Sequence, residues 1–513
     1  MFSEKVCAMD RTENRSGPGL LPWCLFAAFG LGCAGALAQT QATALSLREL
    51  VVQVRELNKD IRTKRTEKNI SATGIDRAAA AFQPVASISA TDGSNRQPST
   101  FEEKLSRENQ PFYLRDGQEY SVGLSQLLPT GARLEAKTTL SRFITNINQR
   151  DPQGRPEGAK DNRTFWGLTL TQPLAKDGGT TVTLARSVVA ELDLAVAEHT
   201  QAETESSVVA EATLAYYELV LAQQRIAAAK EKIRIGQALL GEARELFTQG
   251  RLPETEVWEV ENSLSRFLAG RSEAVQAERE RQNRLNTLVM AATGAGAPVW
   301  HAGDALPEVS VLDANAAQAL GQALQQRQDF LLQKKLLERE GVQLVYAQNQ
   351  ALPRIDLVAS YGRNGLAYSA VRAFNMSQYP TWTVGVQIQI PLGENRQGRA
   401  DVAAAQLRRE NALLALKALE VQIANDIDTS LSLRASAVER WHHWQAVASR
   451  EQQQLEIERK RFSAGRSVMR EILMREERAV NARLMLLEQQ LAFARAQVIL
   501  ESAQGILLQR WPS

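Results

Sequence analysis

The chain has 513 residues, 44% of them hydrophobic, with 60 Lys and Arg against 58 Asp and Glu. Charge this close to balance leaves no electrostatic footprint for nucleic acid, so none is expected as a partner. The three cysteines, Cys7, Cys24 and Cys33, all sit near the N-terminus, so the rest of the chain holds neither a disulfide nor a thiolate metal site.

Lys5, Arg11 and Arg15 precede an uncharged run from Gly19 to Ala38 that ends in Ala36-Leu37-Ala38. A basic start, an apolar core and a small-x-small exit describe a secretory signal peptide over 1–38, cut before Gln39. A retained anchor helix is the alternative. Leu31-Gly32-Cys33 also permits cleavage before Cys33 with lipid on its thiol, although Gly30 stands where such sites usually carry Leu. No later stretch approaches the roughly 18 uncharged apolar residues of a spanning helix.

Strands are expected next, over Val85–Thr91, Tyr120–Leu128, Ala132–Arg142 and Thr164–Gln172. Tyr120, Val122 and Leu124 alternate with Ser121, Gly123 and Ser125, while Leu134, Ala136, Thr138 and Leu140 alternate with Arg133, Glu135, Lys137 and Thr139. One oily face and one wet face suit either a sandwich or a lipid-embedded barrel with a watery lumen. Loop lengths separate the two. Leu128-Pro129-Thr130-Gly131 is a tight turn, whereas the connections from Asp92 to Gln118 and from Phe143 to Asn162 are long and polar, the pattern of outer-membrane barrels.

After Gly178-Gly179, with Thr180 or Thr181 able to cap it, a helix is expected to run without proline to Gly250, about 69 residues or roughly 100 Å. Ala212, Ala215, Leu219, Ala222, Ile226, Ala229, Ile233, Gly236, Leu240, Ala243 and Phe247 keep the three-four spacing of a heptad seam along it. An ordinary helical-bundle core would show the same seam; the length favours a coiled coil. Gly250 is placed to end the helix in a left-handed cap, and Pro253 suits the first turn of a returning helix over Glu254–Ala292. Residues 39–293 form a first repeat. The segment 294–312, opening on Gly294-Ala295-Gly296-Ala297-Pro298, reads as a linker; no Lys-Ser/Thr follows to make it a phosphate loop.

Residues 313–513 repeat the plan. Asp329 and Pro353 are 24 residues apart, as are Asp60 and Pro84. Strands are expected over Arg354–Tyr361 and Trp382–Ile390, a long helix from about Gln397 to Ala464, and a return over Val468 to about Leu508 with a seam of Val480, Leu484, Leu487, Leu491, Ala494 and Val498. Trp166–Leu174 answers Val384–Leu392, and Phe247-Thr248-Gln249-Gly250-Arg251 answers Phe462-Ser463-Ala464-Gly465-Arg466. Three matches in one order indicate a duplicated fold, and two copies are too few for a solenoid. Six strands cannot close a barrel alone, and open edges in lipid are costly, so other copies of the chain must complete it. The fold class is therefore an α+β membrane protein with two internal structural repeats: a long antiparallel α-helical coiled-coil barrel plus an oligomeric outer-membrane β-barrel. Phe165, Trp166, Tyr361, Tyr379 and Trp382 fall near strand ends, where an interfacial girdle would put them.

Catalysis is not expected. His442 and His443 are adjacent on a helix and point about 100° apart, unlike an i, i+4 metal pair, and His199 and His301 stand alone. No Gly-x-Ser-x-Gly nucleophile motif occurs. No cofactor and no metal is expected.

The Pro-led strands, the strands ending in Gln172-Pro173-Leu174 and Pro391-Leu392, and the two Phe-x-x-Gly-Arg tips together resemble the TolC-like outer membrane efflux protein family, over nearly the whole chain after the leader. Arg327-Gln328-Asp329 is similar to the Arg-Pro-Asp often found at the start of the family's second copy, with Gln328 in place of Pro. The resemblance implies a homotrimeric duct in the bacterial outer membrane, its helical domain in the periplasm. A periplasmic adaptor and an inner-membrane pump of RND or ABC type would dock at helical tips bearing Gly250, Arg251, Gly465 and Arg466. It implies a periplasmic gate at Glu471, six residues after the second tip glycine, with Glu256 the equivalent in the first copy. Met474 stands where comparable channels often carry a second acid, which weighs against strong cation selectivity. Arg470 and Arg475 are candidate partners for Glu471. The family pattern has two strands per copy, so the hairpin at Pro129–Gly131 either raises the chain's contribution from four strands to six or lies outside the barrel. The function implied is a passive export channel of a tripartite efflux or type I secretion system. The alternative is a structural periplasmic coiled-coil adaptor or tether without a pore, against which the two-faced strands count.

Overall fold

The computed structural model describes residues 43–106, 109–146, 160–291, 297–311 and 315–511. The signal peptide and Cys33 lie outside the described residues.

β1 (Thr43–Leu45) leads into α1 (Leu47–Leu57), which opens on a reciprocal capping box between Ser46 and Glu49. α2 (Lys59–Ala79) follows, its first amides taken by the Asn58 carboxamide. Then come β2 (Val85–Pro98), the short α3 (Phe101–Ser106), β3 (Phe112–Leu127), β4 (Arg133–Thr145) and β5 (Asp161–Pro173). A four-residue turn of helix, α4 (Thr180–Thr183), precedes α5 (Ala185–Thr248), which at 64 residues is about 95 Å long. α6 (Glu254–Leu288) runs back beside it.

β6 (Trp300–Ala302), α7 (Ala316–Gln326) and α8 (Gln328–Gln350) lead to β7 (Arg354–Ala367), α9 (Ala370–Asn375) and β8 (Tyr379–Gln389). α10 (Arg396–Ser463) and α11 (Met469–Ala503) form a second long pair. Among the described residues no helix is long and apolar enough to cross a membrane.

All six expected strands form, in one antiparallel sheet ordered β2-β3-β4-β5-β7-β8. The β3–β4 hairpin lies within this sheet, between β2 and β5. The register carries the alternation across every strand: Ala86, Leu124, Ala136, Leu168, Tyr361 and Trp382 form one row on the apolar face. Ser87, Gly123, Lys137, Gly167, Gly362 and Thr381 form the neighbouring row on the polar face. A slip of one residue in any strand would put that strand's polar set among the apolar rows. Trp166, Tyr361 and Trp382 lie on the apolar face. Phe165 and Tyr379 do not, and this corrects the girdle reading. Their side chains alternate onto the polar face, where a Cβ at Gly362 would meet the Phe165 ring at 2.4 Å.

The helical expectation needs one correction at its start. Neither Thr180 nor Thr181 caps the helix; the N-cap position is Gly179, with φ of 94°, and Leu184 interrupts the helix before α5. In the second half Asn395 caps α10, accepting the Gly398 N–H at 3.2 Å. The seam on α5 is buried at Ala212, Ala215, Leu219 and Ala222, and again at Gly236 and Ala243, while its last residue, Phe247, is exposed.

The largest apolar cluster joins α1, the middle of α5, the end of α6 and the end of α11. At its centre the fully buried Tyr216 donates its hydroxyl to the Leu45 carbonyl (2.8 Å) and accepts the Asp304 N–H (3.0 Å). Asp304 in turn accepts the Leu47 N–H (2.7 Å), so one side chain ties β1, α1 and α5 together. Within the 294–312 connection, β6 pairs in parallel with β1. Its other edge is served by carboxamides instead of a strand: Gln282 brackets the Trp300 backbone, and Gln223 accepts the Ala302 N–H.

Burial pushes the Tyr216 phenol up to about 12. An unfolded tyrosine ionises near 10, so between about pH 10 and 12 the unfolded chain gives up a proton that the folded one keeps, and stability falls as pH rises. Tyr216→Phe should flatten this part of the alkaline melting profile, followed by circular dichroism. An unchanged slope would show that Tyr216 is not the titrating group.

Candidate functional site

The two helical turns are built alike. Gly250 and Gly465 both have φ of 69°, the left-handed region in which a Cβ costs about 1–2 kcal/mol. At the first turn the Gly250 N–H donates to the Phe247 carbonyl (2.9 Å) and the Arg251 N–H to the Leu246 carbonyl (2.9 Å). At the second, Gly465 donates to Phe462 (2.9 Å) and Arg466 to Arg461 (2.8 Å). This paired pattern satisfies carbonyls that the last helical turn would otherwise leave open. The glycines are thus required by the backbone. The side chains of Arg251 and Arg466 are exposed and pair with no described residue.

The structure brings the two turns to one end of the helical pairs. Leu239 and Ala243 of α5, Val257 and Val260 of α6, and Met469, Ile472 and Leu473 of α11 share one apolar cluster, with Leu246, Leu252 and Phe462 against it. Glu256 and Glu471 both stand in the first turn of the returning helices, where a carboxylate complements the partial positive charge of the helix N-terminus. Glu256 is half-buried, and its Oε2 is enclosed without a hydrogen-bond partner. Glu471 is half-buried, and its carboxylate pairs with no described residue.

Arg475 is not its partner, which corrects the sequence expectation. The Arg475 guanidinium reaches across to α10, to Gln454 and to Glu451 at 3.9 Å. Arg459 of α10 also pairs with the buried Glu476 of α11, and the Ser467 hydroxyl, in the turn between the two helices, donates to Glu458. Arg470 is exposed. Met474 accepts a contact from the Arg478 guanidinium at 3.6 Å and supplies no carboxylate there.

Sequence reasoning missed a groove behind these tips, between α5, α6 and α11. About 450 Å³ in volume, it is lined by Arg225, Lys232, Arg266, Phe267, Glu273 and Glu477, among others. Lys232 donates to Asn481 (2.7 Å) with its ammonium 5.9 Å from the Phe267 ring centre. Burial holds its pKa below the usual lysine range, against the opposing pull of Glu477. The groove arises from three helices meeting, which the pattern of no single helix records.

Arg327 and Asp329 are explained locally. The Arg327 guanidinium clamps Asp329 (2.7 and 3.1 Å) and reaches Asp426 of α10 (3.0 Å), pinning the start of α8 to the long helix. The histidines are dispersed: His199 bonds Gln328 (2.9 Å), while His443 lies 3.8 Å from Glu439. Among the described residues no group of three or more His, Cys, Asp and Glu side chains is placed to hold a metal ion.

Residues 319–505 match the family described as outer membrane efflux protein. Over 402 residues the chain is 23% identical to the proteases secretion protein PrtF of Dickeya chrysanthemi, covering 76% of this chain and 82% of that one. In structure it is similar to the Campylobacter jejuni CmeC outer membrane channel, with a TM-score of 0.61 and 15% identity over 90% of this chain and 85% of that one. It is equally similar to the outer membrane protein VceC of Vibrio cholerae, with a TM-score of 0.61 and 15% identity over 90% and 96% of the two chains. Likeness at these identities establishes the fold.

Proposed function

We propose that this chain is a member of the outer membrane efflux protein family, whose model matches residues 319–505, and is the outer-membrane channel of a tripartite efflux or type I secretion system. It is a passive duct for export across the periplasm and the outer membrane. The observation that carries the reading is the sheet: six strands in register, one face dominated by apolar side chains up to the row of Tyr120 and Leu140, with β2 and β8 left as open edges. Both edge strands are exposed along their whole length. In lipid an open edge leaves backbone groups without partners, so β8 of one copy pairs with β2 of the next. Three copies of six strands close an 18-stranded wall, with the polar rows facing the lumen.

The helices support the same assembly. On α10, Leu407, Leu414 and Val421 recur every seven residues and are 60%, 57% and 62% exposed; Ile70 of α2 is 62% exposed. A heptad stripe left bare on one chain fits a coiled-coil seam with a neighbouring copy. Two long pairs of similar length, α5 with α6 and α10 with α11, support reading the chain as a duplicated unit, and a trimer of it presents six such pairs around its axis. A periplasmic adaptor and an inner-membrane pump dock at the tips. A coiled-coil tether without a pore would have no use for a two-faced six-stranded sheet.

Native mass measurement in detergent tests the assembly. The expected result is a trimer that survives dilution; a stable monomer that stays soluble without detergent would overturn the barrel.

A further inference from the structure

The loop between β7 and β8 folds back over the apolar face of the sheet. Thr164, whose side chain shares that face with Trp166, Leu168 and Leu170, is fully buried and donates its hydroxyl to the Ala373 carbonyl of α9 (3.0 Å). Ser377 closes the contact, donating to the same carbonyl (3.1 Å). The fit is tight: a Cβ on Gly365, beside Thr164 in β7, would come within 1.9 Å of the Ala373 oxygen. Ala373 is fully buried, yet Val371 and Phe374 of its helix and Met376 just after it are 70%, 42% and 52% exposed.

The level at which this happens is readable from the rows. Tyr120, Leu140, Thr164 and Gly365 form the last apolar row; the next one on that face is Asp92, Gln118, Arg142, Asn162 and Ala367. One row below α9, Arg363 is exposed on the apolar face, in register with Trp166 and Pro380. An arginine on a lipid-facing surface costs about 2–4 kcal/mol at mid-membrane and about 0–1 near the interface, so Arg363 belongs at the interface. Arg372, also exposed, lies within α9 itself.

We propose that α9 is an outer-leaflet anchor, with Val371, Phe374 and Met376 among the acyl chains and Arg363 and Arg372 receiving the phosphate of an anionic lipid. The inference rests on the apolar face being lipid-facing. The helix extends that face where the strands turn polar, and the two cations give it a charge complementary to a lipid phosphate. A loop meant only to meet water would have no reason to spread three apolar side chains beside two arginines at this level.

The test is photocrosslinking in the full channel, with p-benzoylphenylalanine in place of Phe374, of Val384 in the middle of the apolar face, or of Ser360 on the polar face. The channel is reconstituted in phosphatidylcholine vesicles containing radiolabelled phosphatidylglycerol. Positions 374 and 384 should label lipid and position 360 should not. Labelling at 384 without labelling at 374 would overturn the anchor and leave the barrel standing; labelling at neither would remove both. Arg363→Gln with Arg372→Gln should lower the preference for phosphatidylglycerol over labelled phosphatidylcholine at position 374 by about fivefold for each arginine. Added inorganic phosphate should leave that preference unchanged. A preference unaffected by the double substitution, or abolished by free phosphate, would overturn the headgroup assignment.

Discussion

Replacing Arg251 and Arg466 together by alanine should abolish export while the channel still assembles and inserts. Both arginines follow a glycine whose left-handed backbone ends a long helix, and both contribute their backbone N–H to the cap. Alanine keeps that N–H, so the caps survive the change. What is lost is an exposed guanidinium at each tip, without a partner among the described residues. Such a cation near a helix C-terminus contributes about 0.3–1 kcal/mol through the helix dipole, too little to unfold a long, packed helical pair. A buried arginine in a docked interface commonly contributes about 2 kcal/mol or more, roughly a thirtyfold change in affinity. The measurement is substrate export in cells together with adaptor binding to the purified channel. Undiminished binding by the double variant would remove the docking role and leave the arginines as dipole partners.

The tips were legible in the sequence because their chemistry is local. A glycine with an arginine after it and a phenylalanine three residues before marks a helix end wherever it occurs, since only glycine adopts that φ without penalty. The six strands were legible for the same reason: a sheet with one dry face and one wet face writes a period of two into each strand. Beyond the apolar band the signal stops. β2 continues to Pro98 and β3 begins at Phe112, well past the expected ends: the β2 extension has no large apolar side chain, and Phe112-Tyr113-Leu114 is an unbroken apolar run, so neither alternates. β1 and β6, three residues each, carry no period at all and depend on Gln223 and Gln282 from distant helices. Aromatic residues near a strand end could not be assigned a face until the register was known, which is why Phe165 and Tyr379 turn out on the polar side. The partner of Arg475 was illegible too. Its nearest acid in sequence is Glu476, but the antiparallel packing of α10 on α11 offers Glu451 instead.

That last pairing sharpens the expectation for the gate. With Arg475 held by α10, Glu471 has no neutralising partner among the described residues, and the position one turn further along α11 is Met474. In a trimer closing toward its axis, three copies of Glu471 would meet where water is scarce, and no second acidic ring would reinforce them. A single carboxylate ring attracts permeating cations modestly; about 1 kcal/mol is a fair scale for charges separated by a few ångströms and partly screened. That corresponds to roughly a fivefold excess of cations at the constriction. Glu471→Gln keeps the size and the helical position and removes the charge, so cation preference in planar bilayers should fall by about that factor while insertion and trimer yield stay unchanged. Glu256→Gln is the comparison within the same molecule, since Glu256 stands at the same place in the first turn of α6 but has a carboxylate oxygen already enclosed by protein. It should shift selectivity less. Equal conductance and selectivity in Glu471→Gln and the parent would place Glu471 away from the constriction, on a solvated flank of α11.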